Sequence, residues 1–446
     1  MEIAVPNYVK LIINKLETCG YEAYIVGGAI RNILLNKKPK DYDIGTNATP
    51  NEIEEVFSDF KTIAVGKKFG TIVVSQNAGD VEITTFRKDG SYMDGRRPEW
   101  VSFSESIIED LSRRDFTINA MAYNVENGLF DPFGGKEDLE KRLIKTVGNA
   151  EERFEEDYLR ILRAVRFSTE YKFSIEENTF KAGRKYAHNI INVSEERIRE
   201  EFFKILLSDT PSNGIIILEK MGILNIILKE LVDTIGFDQK NPNHEKELYE
   251  HILCVLDNVE PILNLRLAAL FHDIGKVHTQ VLDKEGIGHY YNHDKIGAKM
   301  AEDILKRFKV PNELIRKTTI LILEHMNHHN EFSEKGLKRL IRRVGEDEIF
   351  NLFSLQKADI KCSNKSASID HIIGREKKVK YILENKEVIN INQLNINGND
   401  LIEMGFKEGK IIGETLNHLL DRVMEEPELN KKEILKDLAR EYCKLC

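Results

Sequence analysis

Strand-like sequence is concentrated in the first 145 residues of this chain. Short runs rich in β-branched and aromatic residues, among them AYIV, TIVVSQ and VEITTF, alternate there with helix-like segments and turn signals, a mixture that predicts a compact α/β or α+β unit. From about residue 150 the strands largely stop. Segments such as LRILRAVRF, IREEFFKILL, LIRKTTILILEHM and LNHLLDRVMEE repeat their apolar residues at the spacing of one helix face. The polar stretch DQKNPNHEKEL interrupts the helical pattern near residue 240, and a His-rich stretch follows it. No short repeat marks the helical part as a solenoid. A chain of 446 residues has room for two to four domains, each with its own core.

The remaining composition narrows the function classes. No run of about 18 apolar residues is present, and MEIAVPNYVK lacks the basic, apolar and small-residue order of a secretory signal, so we expect a cytoplasmic protein with no membrane partner. The five cysteines, Cys19, Cys254, Cys362, Cys443 and Cys446, are scattered. Only Cys443 and Cys446 form a CxxC-like pair, without the second pair that a zinc site needs, and reduced thiols are expected throughout. A formal charge of −9 argues against indiscriminate nucleic-acid binding, so any RNA must meet local basic patches.

Chemistry-bearing residues begin at YIVGGAIRNILL, read as a buried strand, a turn at Gly27 and Gly28, and a helix from near Ala29. Glycines there let backbone NH groups approach a phosphate without a Cβ in the way, and Arg31 on the first turn adds charge. A purely structural glycine pair is the competing reading. In KDYDIGT, Asp41 and Asp43 stand two apart; in a strand both carboxylates would face one side and could grip divalent cations, as phosphoryl transfer requires. A solvated Asp-x-Asp turn would give the same letters. Glu82 in DVEITTFR is a candidate third carboxylate, or simply an exposed strand residue.

Taken together, the glycine pair, the Asp-x-Asp that follows and the strand-rich setting resemble the polymerase β nucleotidyltransferase superfamily. RRDFTINAMAYN and EEDYLRILRAVRF narrow the resemblance to its class II branch of CCA-adding enzymes and bacterial poly(A) polymerases. The resemblance implies an α+β architecture, with a mixed-sheet catalytic head at 1–145, a helical neck at 146–235, an HD-type helical body at 236–360 and a helical, tRNA-binding tail at 361–446. It also implies that Asp41 and Asp43 bind Mg2+ and that Gly27, Gly28, Arg31 and Arg114 contact the incoming nucleotide. Asp157, Arg160, Arg163 and Arg166 would select the base. The expected activity is template-independent addition of CCA to the 3′ end of tRNA from CTP and ATP. A poly(A) polymerase is one alternative, and an HD metallophosphohydrolase with a nucleic-acid-binding head is another.

Residues 157–166 also read physically as a helix with Asp157, Arg160, Arg163 and Arg166 on one half and Ile161, Leu162 and Val165 on the other. An Asp beside an Arg offers an acceptor for an exocyclic amine and donors for ring acceptors, a pattern that CTP and ATP match and UTP and GTP do not. A surface helix with an i,i+3 ion pair is the alternative. The loop RKDGSYMDGRRPEW, with Arg96 and Arg97, has a mobile composition, and in resembling enzymes it serves the switch from C to A addition.

In the helical part, His251, His272, Asp273 and Asp359 follow the H…HD…D order of HD-type phosphohydrolases, with His293 and His325 extending the likeness. These side chains would hold an additional divalent metal; hydrogen-bonded core histidines would be the simpler account. His328 and His329 are expected to be exposed, and His278 and His289 have no assigned role. EKGLKRLIRRV and GREKKVKYI concentrate positive charge suited to RNA phosphates, or form solvated helix faces. The tail segment INGNDLIEMGFKEGKIIGETL sets Gly398, Gly405, Gly409 and Gly413 around short apolar runs, where turn NH groups could meet tRNA phosphates.

Overall fold

The computed structural model describes residues 3–90, 100–241, 246–329, 332–364 and 366–445. The chain divides into two compact units, Met1–Lys229 and Glu230–Cys446. Among the described residues, no helix is long and apolar enough to cross a membrane.

In the first unit the runs AYIV, TIVVSQ and VEITTF form strands as expected. Its first strands are β1 (Ala23–Val26), β2 (Asp43–Thr46), β3 (Lys61–Gly66), β4 (Thr71–Gln76), β5 (Gly79–Thr85), β6 (Arg87–Asp89), β7 (Val101–Phe103), β8 (Ala122–Asn124) and β9 (Gly128–Phe130). Seven of them form one sheet in the order β3-β4-β5-β2-β1-β8-β9, while β6 and β7 pair separately. The sheet is mixed: β2 runs parallel to β5 and antiparallel to β1. Period-two burial in β5 sends Val81, Ile83 and Thr85 inward and leaves Asp80 and Glu82 outward. Helix Asn7–Thr18 closes the inner face with Val9, Ile12, Ile13 and Leu16, spaced to share one helical side.

Helices follow the sheet. Leu159–Tyr171 packs on Glu195–Leu206 and Pro211–Lys220, burying Ile161, Leu162, Ala164 and Val165. One pair of strands interrupts the helical region, Leu143–Ile144 parallel to Ser174–Ile175. The helix expected across residues 157–166 begins later than the sequence pattern suggests. Ala150–Glu156 ends at Asp157, whose backbone is extended, and the next helix starts at Leu159. The Asp157 carboxylate accepts a hydrogen bond from the Leu159 amide at 3.0 Å, so it competes with helix continuation and starts a new helix instead.

Among its described residues the second unit is helical apart from a hairpin, Gln280–Leu282 with Gly288–Tyr290. At its centre lies Leu263–Phe271, buried on every residue from Asn264 onward and packed by Leu248–Asp257, Asn312–Glu324 and Ile349–Ser363. Residues 394–439 add a separate apolar cluster, including Leu401, Leu419, Leu420 and Val423.

Two expectations are corrected here. Cys254 and Cys362 are joined as a disulfide, because helices Leu248–Asp257 and Ile349–Ser363 pack side by side, a proximity invisible across a sequence separation of 108 residues. Cys19 is a free, exposed thiol, and the side chains of Cys443 and Cys446 lie outside the described residues. His328 is 8% exposed rather than solvated, since the turn after Asn312–Glu324 folds its ring inward and its Nδ1 meets the His325 carbonyl at 3.0 Å. The His329 side chain is also outside the described set. Much of the basic charge in Glu334–Val344 is committed within the unit: Arg339 to Asp421, Arg343 to Glu324 and the buried Lys338 to Glu387.

Candidate functional site

A cavity of about 470 Å³ in the first unit is lined by Gly27, Gly28, Arg31, Asp43, Arg114, Asp157, Arg160, Arg163 and Arg166. Residues from four separate stretches of sequence are thus brought to one concavity, and Arg197 joins them from a fifth. At its floor β1 ends at Val26, and Gly27 takes φ +75°, a left-handed conformation that favours glycine. A Cβ on Gly27 would stand 3.0 Å from the Arg114 guanidinium and 3.8 Å from Asp43 Oδ2. A Cβ on Gly28 would stand 3.3 Å from that of Arg31. The glycines therefore leave room beside a carboxylate and two cations, which suits a metal-bound phosphate chain.

Asp43 opens β2, paired in register with Val26 on one side and Glu82 on the other, so Asp43 and Glu82 share a face of the sheet. Burial pushes the Asp43 carboxyl up, Glu82 and then Asp41 push it further, Arg114 opposes them, and the pKa reaches about 6. Carboxylates crowded until one holds its proton near neutrality are a site that a divalent cation would relieve. Asp41 lies before the strand and is exposed. It does not line the cavity, although its charge bears on Asp43.

The cationic wall is held by buried carboxylates. Asp110 pairs with Arg113 at 2.6 Å and with Arg114 at 3.1 Å. Asp115 pairs with Arg163 at 2.7 Å and Glu201 with Arg166 at 2.6 Å. Burial alone would raise the Asp115 carboxyl, but the Arg163 guanidinium and the Asn119 amide outweigh it and hold it far below the usual carboxylate range. Arg31 donates to Asn119 and lies 5.0 Å from the Phe167 ring centre, against which Arg166 also stacks at 4.0 Å.

Asp157 and Arg160 do not form the i,i+3 pair that the sequence offers. Asp157 accepts from Arg197 at 2.7 and 3.3 Å. Arg160 donates to the carbonyls of Arg153 and Arg113, at 3.1 and 3.0 Å, and pairs with Glu156. Sequence reasoning missed Arg197, Asp115, Asn119 and Phe167. RRDFTIN contains Arg114 and could have flagged Asp115 and Asn119; Arg197 lies in the amphipathic helix Glu195–Leu206, which only tertiary packing brings to the cavity. Arg96 and Arg97 fall outside the described residues.

The second cluster is deeply buried. His251, His272 and Asp273 gather one set of potential metal donors, and Asp273, His293 and His325 gather another. His251 Nε2 stands 3.2 Å from His272 Nε2, 3.5 Å from Asp273 Oδ2 and 3.2 Å from Asp359 Oδ1. On the other oxygen, Asp273 Oδ1 is 3.4 Å from His293 Nε2 and 3.7 Å from His325 Nε2. The Nδ1 atoms of His272, His293 and His325 face the carbonyls of Ala269, Tyr290 and Ile322. Donating there leaves Nε2 as the lone-pair atom facing the cluster. The Nε2 atoms of His293 and His325 are buried without a hydrogen-bond partner, which fits metal coordination better than a hydrogen-bonded core. Burial pushes His251 and His293 below the ordinary imidazole range, towards the neutral form a ligand needs. Asp273 also pairs with Lys276 at 2.7 Å, and a cavity of about 520 Å³ opens beside it, lined also by His289, Tyr290, His328 and Asp359.

Three family models match the chain. "Poly A polymerase head domain" covers residues 23–145, "Probable RNA and SrmB- binding site of polymerase A" covers 172–234, and tRNA nucleotidyltransferase domain 2 covers 292–439. A CCA-adding enzyme from Bacillus velezensis is 34% identical over 427 residues, spanning 96% of each chain. One from Ligilactobacillus salivarius is 32% identical over 432 residues, spanning 96% of this chain and 95% of its own. Among solved structures, the Bacillus stearothermophilus CCA-adding enzyme in complex with CTP superposes with a TM-score of 0.74 at 27% identity, covering 99% of this chain and all of that one.

Proposed function

This chain belongs to the family of CCA-adding enzymes, and from that footing we propose that its first cavity adds C, C and A in turn to the 3′ end of tRNA, without a nucleic-acid template. The observation that carries the reading is the convergence of Gly27, Gly28, Asp43, Arg114, Asp157 and Arg160 on one cavity. The four-part division into head, neck, body and tail, and a cytoplasmic location beside the tRNA pool, belong to the same proposal.

Nucleotidyltransferases of this family use divalent metal. Asp41 and Asp43, with Glu82 on the same face as Asp43, would hold Mg2+, which when bound would activate the RNA 3′-hydroxyl for attack on the α-phosphate and neutralise the departing pyrophosphate. Around that centre, Arg31 and Arg114 supply charge for the triphosphate, and the glycines give it room. Base choice falls to Asp157 and Arg160. Asp157 can accept from the exocyclic amine of cytosine or adenine; Arg160, with three of its five donors engaged by Arg153, Arg113 and Glu156, has two left for ring acceptors. Uracil and guanine present a carbonyl and an N–H at those positions, which would set like against like. Arg197 and Glu156 hold the pair in place before the nucleotide arrives, so little side-chain entropy remains to be lost.

The buried histidine cluster supports a second, separate reading: a divalent-metal phosphohydrolase site, with His251, His272, Asp273 and Asp359 as ligands and His293 and His325 beside them. The unpartnered, buried Nε2 atoms favour it.

Incubating the protein and Mg2+ with tRNA that lacks its last three nucleotides tests the first reading. Two C residues from CTP alone, and one further A when ATP is added, are expected. An open-ended A tail on generic RNA would reassign the chain to poly(A) polymerase chemistry.

A further inference from the structure

The disulfide and the buried histidine cluster share two helices. His251 and Cys254 lie three residues apart on Leu248–Asp257, and Asp359 and Cys362 lie three apart on Ile349–Ser363, so on each helix the ligand and the cysteine occupy one face. Cys254 and Cys362 are bonded, and one turn away His251 Nε2 and Asp359 Oδ1 stand 3.2 Å apart. Donors on one metal, at bond lengths of about 2.0–2.2 Å, stand roughly 3.0–3.6 Å from each other. The cross-link therefore fixes the spacing of two ligands carried by different helices.

Resting on the reading of this cluster as a metal site, we propose that the Cys254–Cys362 disulfide is a redox staple that sets the metal affinity of the cluster. Bonded, it holds the helices at ligand spacing; reduced, it lets them relax and weakens the site. The sulfurs are unequal: Cys254 is partly exposed, whereas Cys362 is 4% exposed. The Asn258 amide lies 3.8 Å from both. A dithiol reductant reaches Cys254 first. Its thiolate attacks Cys254 Sγ, the bond to Cys362 breaks, and Cys362 leaves as a thiolate that then takes a proton. The second thiol of the reductant attacks the mixed disulfide and frees Cys254. Two electrons and two protons pass to the protein, and the reductant leaves as its own disulfide.

Full-length protein carrying Asp41→Ala and Asp43→Ala, to remove head metal sites, would be titrated with Mn2+ alone, oxidised and after reduction with a phosphine. Cys254→Ser and Cys362→Ser would be titrated alongside, with circular dichroism as a check on folding. We expect reduction to weaken Mn2+ binding about tenfold, the scale of a lost supporting contact around a metal site, with both serine variants matching the reduced protein whether or not phosphine is present. Equal affinity in oxidised and reduced protein overturns the staple and leaves the metal site standing. Mn2+ binding that is absent, or insensitive to His272→Ala, overturns the metal reading and the staple with it.

Discussion

Asp43→Asn should stabilise the metal-free protein while abolishing nucleotide addition. Burial, Glu82 and Asp41 raise the Asp43 pKa from its ordinary 3.8 to about 6. Below pH 3.8 the carboxyl is protonated in folded and unfolded chains alike and contributes nothing. Between 3.8 and 6 the unfolded chain has lost the proton that the folded one keeps, so stability falls as pH rises through this window. Above 6 the whole penalty is present, at most about 3 kcal/mol, at 1.36 kcal/mol for each tenfold change in proton affinity. Asparagine keeps the shape and removes the charge. In the presence of chelator at pH 7.5 the variant should melt higher, by roughly 6–12 °C for a unit of this size. At pH 4.5 the gain should shrink to about 1 kcal/mol. Added Mg2+ should raise the melting temperature of the unaltered protein and leave that of the variant nearly unchanged. Scanning calorimetry across pH measures all of these. A variant no more stable than its parent at pH 7.5, or equally stabilised at both pH values, would refute the account of Asp43 as a strained, metal-awaiting carboxyl.

Asp115→Ala leaves the partly exposed Arg163 guanidinium only Glu201, at 3.9 Å, and removes the acceptor of the Asn119 amide; it should cost about 1–3 kcal/mol in urea unfolding. Because the Asp115 carboxyl is held low, its contribution is complete above its ordinary range and disappears as pH falls below about 4, so the loss relative to the parent should narrow in acid. Arg197→Met removes the clamp on Asp157; competition of CTP against UTP on a tRNA primer should show discrimination reduced by about ten- to a hundredfold, the worth of one charge-assisted hydrogen bond, with intact discrimination counting against pre-orientation of Asp157. Asp41→Ala with Asp43→Ala should end nucleotide addition and spare Mn2+ binding at the histidine cluster. His272→Ala with Asp273→Ala should do the reverse, and a variant pair that lost both functions would link the sites.

Sequence pattern alone determined the elements. Runs rich in β-branched and aromatic residues marked strands of the sheet and three-to-four apolar spacing marked the helices after it, because each reflects local backbone preference and which side of an element must leave water. The glycine pair, the Asp-x-Asp, the arginines of 160–166 and the His-Asp pair were legible too, since local chemistry demands those residue types at those spacings. Tertiary structure decided how they are partnered. Asp157 looks like the partner of Arg160 when only neighbours in sequence are visible, yet a helix 40 residues on places Arg197 against it. Asp115, Asn119 and Glu201 are ordinary polar residues until burial forces each to find a cation or a donor. Cys254 and Cys362 become a bond only when their helices pack. Local periodicity sets what a segment becomes, whereas the pairing of buried charges and thiols is settled by which surfaces meet, and no local pattern in the chain encodes that.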